Sequence, residues 1–157
     1  MTTTGIGYDV HRLVAGRALV LGGVEIPHPL GLEGHSDADV LCHAIADAVL
    51  GAAGEPDIGH LFPNNDPAIR GISSLEILRR VDAVLKEKGV RLNNVDATLI
   101  AEEPKISPYL ELMKERVGGA LGLSSDCVGI KATTNESMGF LGRGEGMAAL
   151  ATASVER

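Results

Sequence analysis

Residues 36–51, SDADVLCHAIADAVLG, contain the pattern that decides the fold. Apolar residues recur there at the 3.6-residue spacing of an amphipathic helix, namely at Val40, Leu41, Ala44, Ile45, Ala48 and Val49. Ser36 is predicted to open this helix, with Asp39 three residues on in the manner of a capping box. Gly51 is predicted to close it.

A strand is predicted before this helix, at residues 5–11, where the sequence alternates loosely. Side chains two apart on a strand point the same way, so Ile6, Tyr8 and Val10 would share one face. Asp9 and His11 would share the other. A hairpin is expected around Gly22-Gly23, with strands at 18–21 and 24–26. Three later strands are expected at 95–101, 128–132 and 148–155.

Two more helices follow the first. One is predicted to run from a Ser73-x-x-Glu76 capping box to Gly89, and another from Ser107-Pro108 to about residues 121–122. Because strands and helices interleave, the fold class is α/β or α+β. We expect a small mixed sheet of four to five strands with helices packed on one face. Residues 1–157 are expected to form a single domain, and residues 54–71 and 133–146 two long polar loops.

The composition limits the possible functions. A formal net charge of −7 disfavours non-specific binding to nucleic acid or to anionic membranes. An acidic chain that binds phosphates needs metal ions, backbone N–H groups or a few well-placed cations. Cys42 and Cys127 are expected to be free thiols. The N-terminus lacks signal-peptide features and no apolar run is long enough to cross a membrane, so a cytoplasmic location is predicted.

The first candidate site is a metal centre. Asp9 and His11 lie side by side on the predicted strand, and His43 lies within the helix. Two histidines and one carboxylate suit Zn²⁺ with an open fourth position, and they also suit non-haem Fe(II). Asp47, one turn beyond His43, could orient its ring or could be an exposed helix carboxylate. On spacing alone, ordinary structural roles for all these residues remain open.

Other polar residues near this helix have simpler interpretations. Asp37 and Asp39 are expected to be helix-terminus acids that interact with the helix dipole. His28, between two prolines, is expected to be exposed and unrelated to any site.

The second candidate site is for phosphate. Residues 133–136, Thr-Thr-Asn-Glu, follow a predicted strand and precede a glycine-rich stretch at 139–146. Hydroxyls, backbone N–H groups and Arg143 can surround phosphate oxygens. Glu136 cannot bind phosphate directly, so its natural role is to hold Mg²⁺. Lys105 is a second cationic candidate. Glycine-rich loops are often only turns, and that alternative stays open at this point.

Five segments together resemble the 2-C-methyl-D-erythritol 2,4-cyclodiphosphate synthase family over nearly the whole chain. In order, they are GYDVHR at 7–12, GHSDADV at 34–40 with His43, DIGHLFP at 57–63, KATTNE at 131–136 and GFLGRGEG at 139–146. Their order, their separations and the total length all match the family.

The resemblance implies a specific reaction in the non-mevalonate (MEP) isoprenoid pathway. The family converts 4-diphosphocytidyl-2-C-methyl-D-erythritol 2-phosphate into the 2,4-cyclodiphosphate, and CMP leaves when the 2-phosphate attacks the β-phosphorus. By resemblance, Asp9, His11 and His43 bind Zn²⁺, and Glu136 holds Mg²⁺ or Mn²⁺ on the diphosphate. The family forms homotrimers with active sites between subunits: the metal ligands come from one subunit and the cytidine pocket from the next.

The resemblance also implies roles in transition-state stabilisation for His35 and Thr134. Substrate contacts are implied for a wider set: Asp9, His11, His35, Ser36, Asp57, Ile58, Gly59, Phe62, Asn64, Asp66, Ala101, Pro104, Lys105, Ile106, Thr133, Thr134, Asn135, Glu136, Phe140 and Arg143. The chain departs from the family at Asn64, where an Asp is usual. An amide carries no charge and also donates, so altered substrate affinity is expected.

Other functions remain possible from the sequence. A metal-dependent phosphohydrolase would use water on the same metal as its nucleophile. A nucleotide-binding or metal-storage module would not need His43 for turnover. A non-haem iron oxygenase would require iron and oxygen.

Overall fold

Seven strands and five α-helices form the chain, and the computed structural model describes all residues 1–157. The strands are β1 Thr2–Ala15, β2 Leu19–Leu21, β3 Val24–Ile26, β4 Leu30–Leu32, β5 Arg91–Ile100, β6 Val128–Thr133 and β7 Gly146–Glu156. The α-helices are α1 Val40–Ala52, α2 Ile58–Leu61, α3 Ser74–Glu87, α4 Leu110–Leu121 and α5 Gly139–Gly142. Short 3₁₀ helices span Pro67–Ile69, Ser107–Tyr109 and Ser125–Cys127.

A five-stranded mixed sheet has the order β4-β1-β7-β5-β6, while β2 and β3 form a separate hairpin. β1 and β7 pair antiparallel from Thr2 opposite Glu156 to Arg12 opposite Gly146. β5 and β6 are parallel, so their carboxyl ends meet at one edge of the sheet. The predicted α+β fold with a small mixed sheet and the predicted hairpin are therefore confirmed.

Helix α1 lies directly on β1 because two glycines allow it. A Cβ atom at Gly7 would stand 1.9 Å from the Ala44 carbonyl oxygen, and one at Gly5 would stand 2.1 Å from the Ala48 oxygen. Both neighbours are helix backbone, so a larger residue could not be accommodated by a side-chain movement. This close approach brings His43, next to Ala44, over the strand that carries Asp9 and His11.

The opposite face of the sheet carries exposed apolar side chains. Ile6 is 68% exposed, Tyr8 53%, Val10 40% and Leu150 42%. The prediction that the three β1 residues share one face is confirmed, but the face is solvent-exposed within the single chain. The core lies between the other face and the helices, where Leu41, Ile45, Leu78, Leu99 and Met147 are among the fully buried side chains.

The predicted ends of α1 are wrong. Ser36 does not open the helix, because Ala38 has a left-handed backbone with φ 58°. Asp39 is the N-cap: one of its carboxylate oxygens accepts the Cys42 N–H at 3.0 Å. The same buried carboxylate accepts the N–H groups of Gly22 and Gly23, which joins the β2–β3 turn to the helix. At the other end α1 continues past Gly51 to Ala52.

The remaining sequence predictions differ from the structure mainly at element ends. Ser73 caps α3 as predicted, whereas Ser107 opens a 3₁₀ turn and α4 begins only at Leu110. Gly122, with φ 66°, ends α4 as predicted. The two long loops contain the short helices α2 and α5. Both cysteines are free, and none of the helices has the length and apolar character needed to cross a bilayer.

Candidate active site

Asp9, His11 and His43 form a three-residue group that could hold a metal ion. One carboxylate oxygen of Asp9 lies 2.9 Å from His11 Nε2 and 3.1 Å from His43 Nδ1. The two ring nitrogens are 3.3 Å apart. Ligands about 2.0–2.1 Å from a tetrahedral Zn²⁺ are separated by about 3.3 Å, so the spacing of these donor atoms fits an ion of that size.

Hydrogen bonds on the far side of each ring orient the two histidines. His11 Nδ1 lies 2.7 Å from the Glu33 carbonyl oxygen, which can only accept. The Nδ1 atom therefore carries the proton and Nε2 is free to bind a metal. His43 is arranged in the opposite sense: Nδ1 faces Asp9, and Nε2 lies 3.1 Å from the hydroxyl oxygens of Ser36 and Ser74.

Ser74 was not predicted from the sequence. Its hydroxyl donates to Asp37, leaving a lone pair for the His43 Nε2–H. Asp37 also accepts the Ser74 N–H at 2.9 Å and the N–H of Asp39, the α1 N-cap, at 3.1 Å, so it joins the starts of α1 and α3. Ser74 is 31 residues from His43 and next to an ordinary N-cap serine. No local sequence signal marks it.

The proposed role of Asp47 in orienting His43 is wrong. Its carboxylate accepts the backbone N–H of Ile58 at 2.9 Å instead, at the start of α2. The side chain is half-buried, so the alternative of an exposed helix carboxylate is also wrong. Asp47 positions the 57–62 segment, which carries several of the predicted substrate contacts.

The carboxylate and the imidazole of the metal group shift each other's pKa. Burial alone would raise the pKa of Asp9, but its interactions with the His11 and His43 rings outweigh burial and hold this pKa below 3.8. Burial alone would lower the pKa of His11, but the hydrogen bond and charge of Asp9 raise it above 6.5. Without a metal, the two residues therefore tend to form an ion pair.

The metal group lies in a cleft lined by many of the predicted substrate-binding residues. These include His35, Ser36, Ile58, Gly59, Phe62 and Asn64. His35 is exposed there, whereas Phe62 is buried with the Arg80 guanidinium 5.4 Å from its ring centre.

The other predicted substrate-binding residues of this region lie beside that cleft. Asp57 caps α2, and a hydrogen bond from His60 lowers the pKa of Asp57 below 3.8. Asp66 and Asn64 line an adjoining cleft with His35 and Arg70. We name the cleft that contains Asp9, His11 and His43 the metal cleft.

The predicted phosphate residues line a different cleft, which we name the loop cleft. Thr134, Glu136 and Arg143 lie there, together with Glu102 and His28. His28 is half-buried, so the expectation that it is exposed and remote from any site is wrong. The Arg143 Nε–H donates to Glu145 at 2.6 Å in an exposed ion pair.

Most of the remaining predicted residues lie around the parallel ends of β5 and β6. The Ala101 N–H donates to the Thr133 carbonyl oxygen at 3.0 Å, which joins the two chain segments just past the sheet. Ile106 is buried, Pro104 is half-buried and Lys105 is exposed. The side-chain amide of Asn135 donates to the Met138 carbonyl oxygen at 2.8 Å. Phe140 is 44% exposed and lines a third cleft with His11 and Arg12.

This fold and site define a class: a small α+β protein with helices on one face of a mixed sheet and a candidate Asp/His/His metal centre. The family model described as "YgbB family" matches residues 2–156, and the chain belongs to that family.

Named relatives agree with this assignment. The chain is 61% identical over 153 residues to a protein of Akkermansia muciniphila, covering 97% of this chain and 90% of the relative. It is 62% identical over 151 residues to a protein of Symbiobacterium thermophilum, covering 96% of each. Both are named 2-C-methyl-D-erythritol 2,4-cyclodiphosphate synthase. The resemblance deduced from the five segments is therefore confirmed.

Solved structures show the same architecture. The bifunctional IspDF of Campylobacter jejuni superposes with a TM-score of 0.94 at 40% identity, over 99% of this chain and 42% of that one. A Plasmodium falciparum IspF in complex with CDP superposes with a TM-score of 0.85 at 31% identity, over 98% of this chain and 95% of that one.

Proposed function

We propose that this protein is a 2-C-methyl-D-erythritol 2,4-cyclodiphosphate synthase. It would convert 4-diphosphocytidyl-2-C-methyl-D-erythritol 2-phosphate into the cyclic 2,4-diphosphate and CMP. An oxygen of the 2-phosphate forms a bond to the β-phosphorus, and the bond from that phosphorus to the bridging oxygen breaks. CMP leaves with the bridging oxygen. The observation that carries the proposal is the Asp9–His11–His43 group in a cleft shared with His35, Ser36 and Gly59.

The nucleophile in this reaction is part of the substrate. The protein therefore needs no activated serine or cysteine, and its task is to hold the two phosphates in line and to offset their charge. We assign His35 and Thr134 to the phosphates that react, His35 from the exposed wall of the metal cleft and Thr134 from the loop cleft. The buried Cys42 takes no part, since burial raises the pKa of its thiol well above 9.0.

The donor atoms described above fit a zinc ion held by Asp9, His11 and His43, and Glu136 would hold Mg²⁺ or Mn²⁺. Such ions supply positive charge to a polyanionic substrate, which a chain with a net charge of −7 otherwise lacks. The residues on the far side of the rings, Glu33, Ser36 and Ser74, would keep each histidine in the tautomer that binds a metal.

We also propose that the active site is completed by a second copy of the chain in a homotrimer. Within one chain the metal cleft and the loop cleft are lined by different residues, yet the reaction needs both sets at one diphosphate. The exposed apolar sheet face of Ile6, Tyr8, Val10 and Leu150 supports burial against other copies. The cytidine would occupy the turn formed by residues 101–106 beside Thr133.

The test is to incubate the protein with the diphosphocytidyl substrate and Mg²⁺, and to identify the products by mass. A cyclic diphosphate and CMP in equal amounts are expected. Free phosphate would instead indicate the phosphohydrolase alternative, which the named relatives do not support. His43→Ala is expected to lose both turnover and bound zinc, while His60→Ala, with a 71% exposed ring outside the metal group, keeps its zinc. Full turnover in His43→Ala would refute the proposal.

A further inference from the structure

Glu102 makes two hydrogen bonds that no sequence pattern predicted. One carboxylate oxygen accepts the backbone N–H of Asn135 at 3.0 Å, and the other accepts the backbone N–H of Ser137 at 2.7 Å. These two N–H groups lie on either side of Glu136 in the chain. A single side chain, two residues past the end of β5, therefore binds the backbone around the residue to which we assign the second metal ion.

The loop needs such support because of its backbone conformation. Glu136 and Ser137 both have left-handed φ angles, 53° and 58°, and neither is a glycine. Left-handed conformations of this kind are unfavourable for residues with a Cβ atom, and they persist where the surroundings hold them. Inside the loop the Thr134 hydroxyl accepts the Glu136 N–H at 3.2 Å, which leaves the flanking N–H groups to Glu102.

Converging backbone N–H groups form a site for an anion, and here the anion is the Glu102 carboxylate. Both of its oxygens are engaged by these donors, which favours a role in holding the loop over direct binding of a metal ion. Glu102 follows Ala101, whose N–H donates to the Thr133 carbonyl oxygen. The carboxylate thus links the proposed cytidine turn to the proposed phosphate loop.

We infer that Glu102 is a positioning residue: it holds Glu136 and Thr134 in the orientation that binds the divalent ion and the diphosphate of a cytidine nucleotide. The inference rests on the proposed function, because that proposal gives Glu136 and Thr134 their roles. It predicts that removal of this one carboxylate weakens metal-dependent nucleotide binding and leaves the Asp9–His11–His43 group intact.

The experiment compares Glu102→Ala and Glu102→Gln with Glu115→Ala, which removes an exposed carboxylate from α4 that takes part in no ion pair. CDP binding is measured by calorimetry with and without Mn²⁺, together with zinc content and hydrogen exchange of the amides of residues 135 and 137. A hydrogen bond to a charged group contributes a factor of about ten or more to an equilibrium constant. Glu102→Ala is therefore expected to weaken Mn²⁺-dependent CDP binding by about tenfold or more.

The other readouts separate positioning from general damage to the fold. The two amides should exchange faster in Glu102→Ala, and turnover should recover partly at high Mg²⁺. Zinc content should match that of Glu115→Ala. Glu102→Gln keeps one accepting oxygen and should fall between the wild type and Glu102→Ala.

Two results would overturn the inference: equal CDP affinity with Mn²⁺ in Glu102→Ala and Glu115→Ala, or unchanged amide exchange at both positions. If Glu102→Ala fails to fold, Glu102→Gln decides by the same measurements. Failure of the proposed function would look different. The wild type would then release no CMP from its substrate, while amide exchange, which needs neither ligand nor turnover, would still test the role of Glu102.

Discussion

The hydroxyl oxygen of Ser74 lies 3.1 Å from Nε2 of His43, and the same hydroxyl donates to the carboxylate of Asp37. Since the Ser74 proton is given to Asp37, the oxygen can only accept from the histidine. The His43 proton is thereby fixed on Nε2, and Nδ1 is left to face Asp9 and His11. The first residue of α3 thus determines which nitrogen of a helix α1 histidine can bind a metal.

Ser74→Ala is expected to lower zinc affinity by about 10- to 100-fold, the usual effect of removing a hydrogen-bond partner of a metal-binding histidine. Zinc competition with a chelating dye measures it. The matched control is Ser73→Ala, which removes the N-cap of the same helix. This control should lower the free energy of unfolding by about 1 kcal/mol and leave zinc affinity unchanged. Equal zinc affinity in the two variants would show that Ser74 does not orient His43.

The metal-free protein should have a specific dependence of stability on pH. The pKa of His11 is raised above 6.5. The protonated His11 therefore contributes fully to the free energy of unfolding below pH 6.5, and this contribution is lost as pH rises through the raised pKa. The pKa of Asp9 is lowered below 3.8, so its contribution is complete above 3.8 and is lost as pH falls through the lowered value. Thermal melting without metal should therefore show the stabilisation by this pair between these limits.

The zinc affinity should depend on pH in the opposite direction to the stability contributed by His11, since it should fall as pH falls. His11 must lose its proton to bind a metal, so zinc affinity should begin to fall at a pH above 6.5 as the solution is acidified. Zinc titrations from about pH 8 to about pH 5 measure this fall in affinity.

The variant Asp9→Asn tests the stability effect in the metal-free protein. It lacks the charge that pairs with His11, so the loss of stability as pH rises past 6.5 should disappear. A melting temperature of the metal-free wild type that is constant over this range would contradict the assignment.

Sequence patterns predicted the elements of this fold well because its helices and strands have regular apolar periods. The ends were harder to predict, since they depend on distant groups. Asp39 caps α1 while it also binds the turn at Gly22-Gly23, and that turn is brought near only by the tertiary fold. The three-residue strand β4 pairs with the far end of β1, Leu32 opposite Leu13, and has no pattern of its own.

In the candidate site, too, residues with a local sequence pattern could be predicted and residues that act through distant contacts could not. Residue type and spacing made Asp9, His11 and His43 candidate ligands, because two share one face of a strand and one lies in a later helix, and the family resemblance implied their metal role. Glu102 and Ser74 could not, because each acts on a segment more than 30 residues away through a contact made by folding. Side chains that support a site thus carry less sequence signal than the side chains that form it.

Asn64→Asp restores the residue usual in the family at a position that lines the metal cleft. A carboxylate accepts a stronger hydrogen bond from a substrate hydroxyl than an amide does, so KM for the diphosphocytidyl substrate should fall by about three- to tenfold. The kcat should change little. Asn65→Asp adds the same charge to the adjacent, exposed residue, which lines the adjoining cleft but not the metal cleft, and is the control. An unchanged KM in Asn64→Asp would rule out a substrate contact there.

Gly7→Ala should damage both the fold and the metal group, because a Cβ atom at this position would lie 1.9 Å from the Ala44 carbonyl oxygen. Helix α1 would have to move away from β1, and His43 would move with it. We expect a loss of about 3 kcal/mol in the free energy of unfolding and weaker zinc binding. Gly119→Ala is the control, since no atom outside the neighbouring backbone of α4 lies within 4 Å of its added methyl group. This variant should gain up to about 1 kcal/mol from helix propensity and keep its zinc affinity. Wild-type stability and zinc binding in Gly7→Ala would show that the metal group does not depend on close contact between α1 and β1.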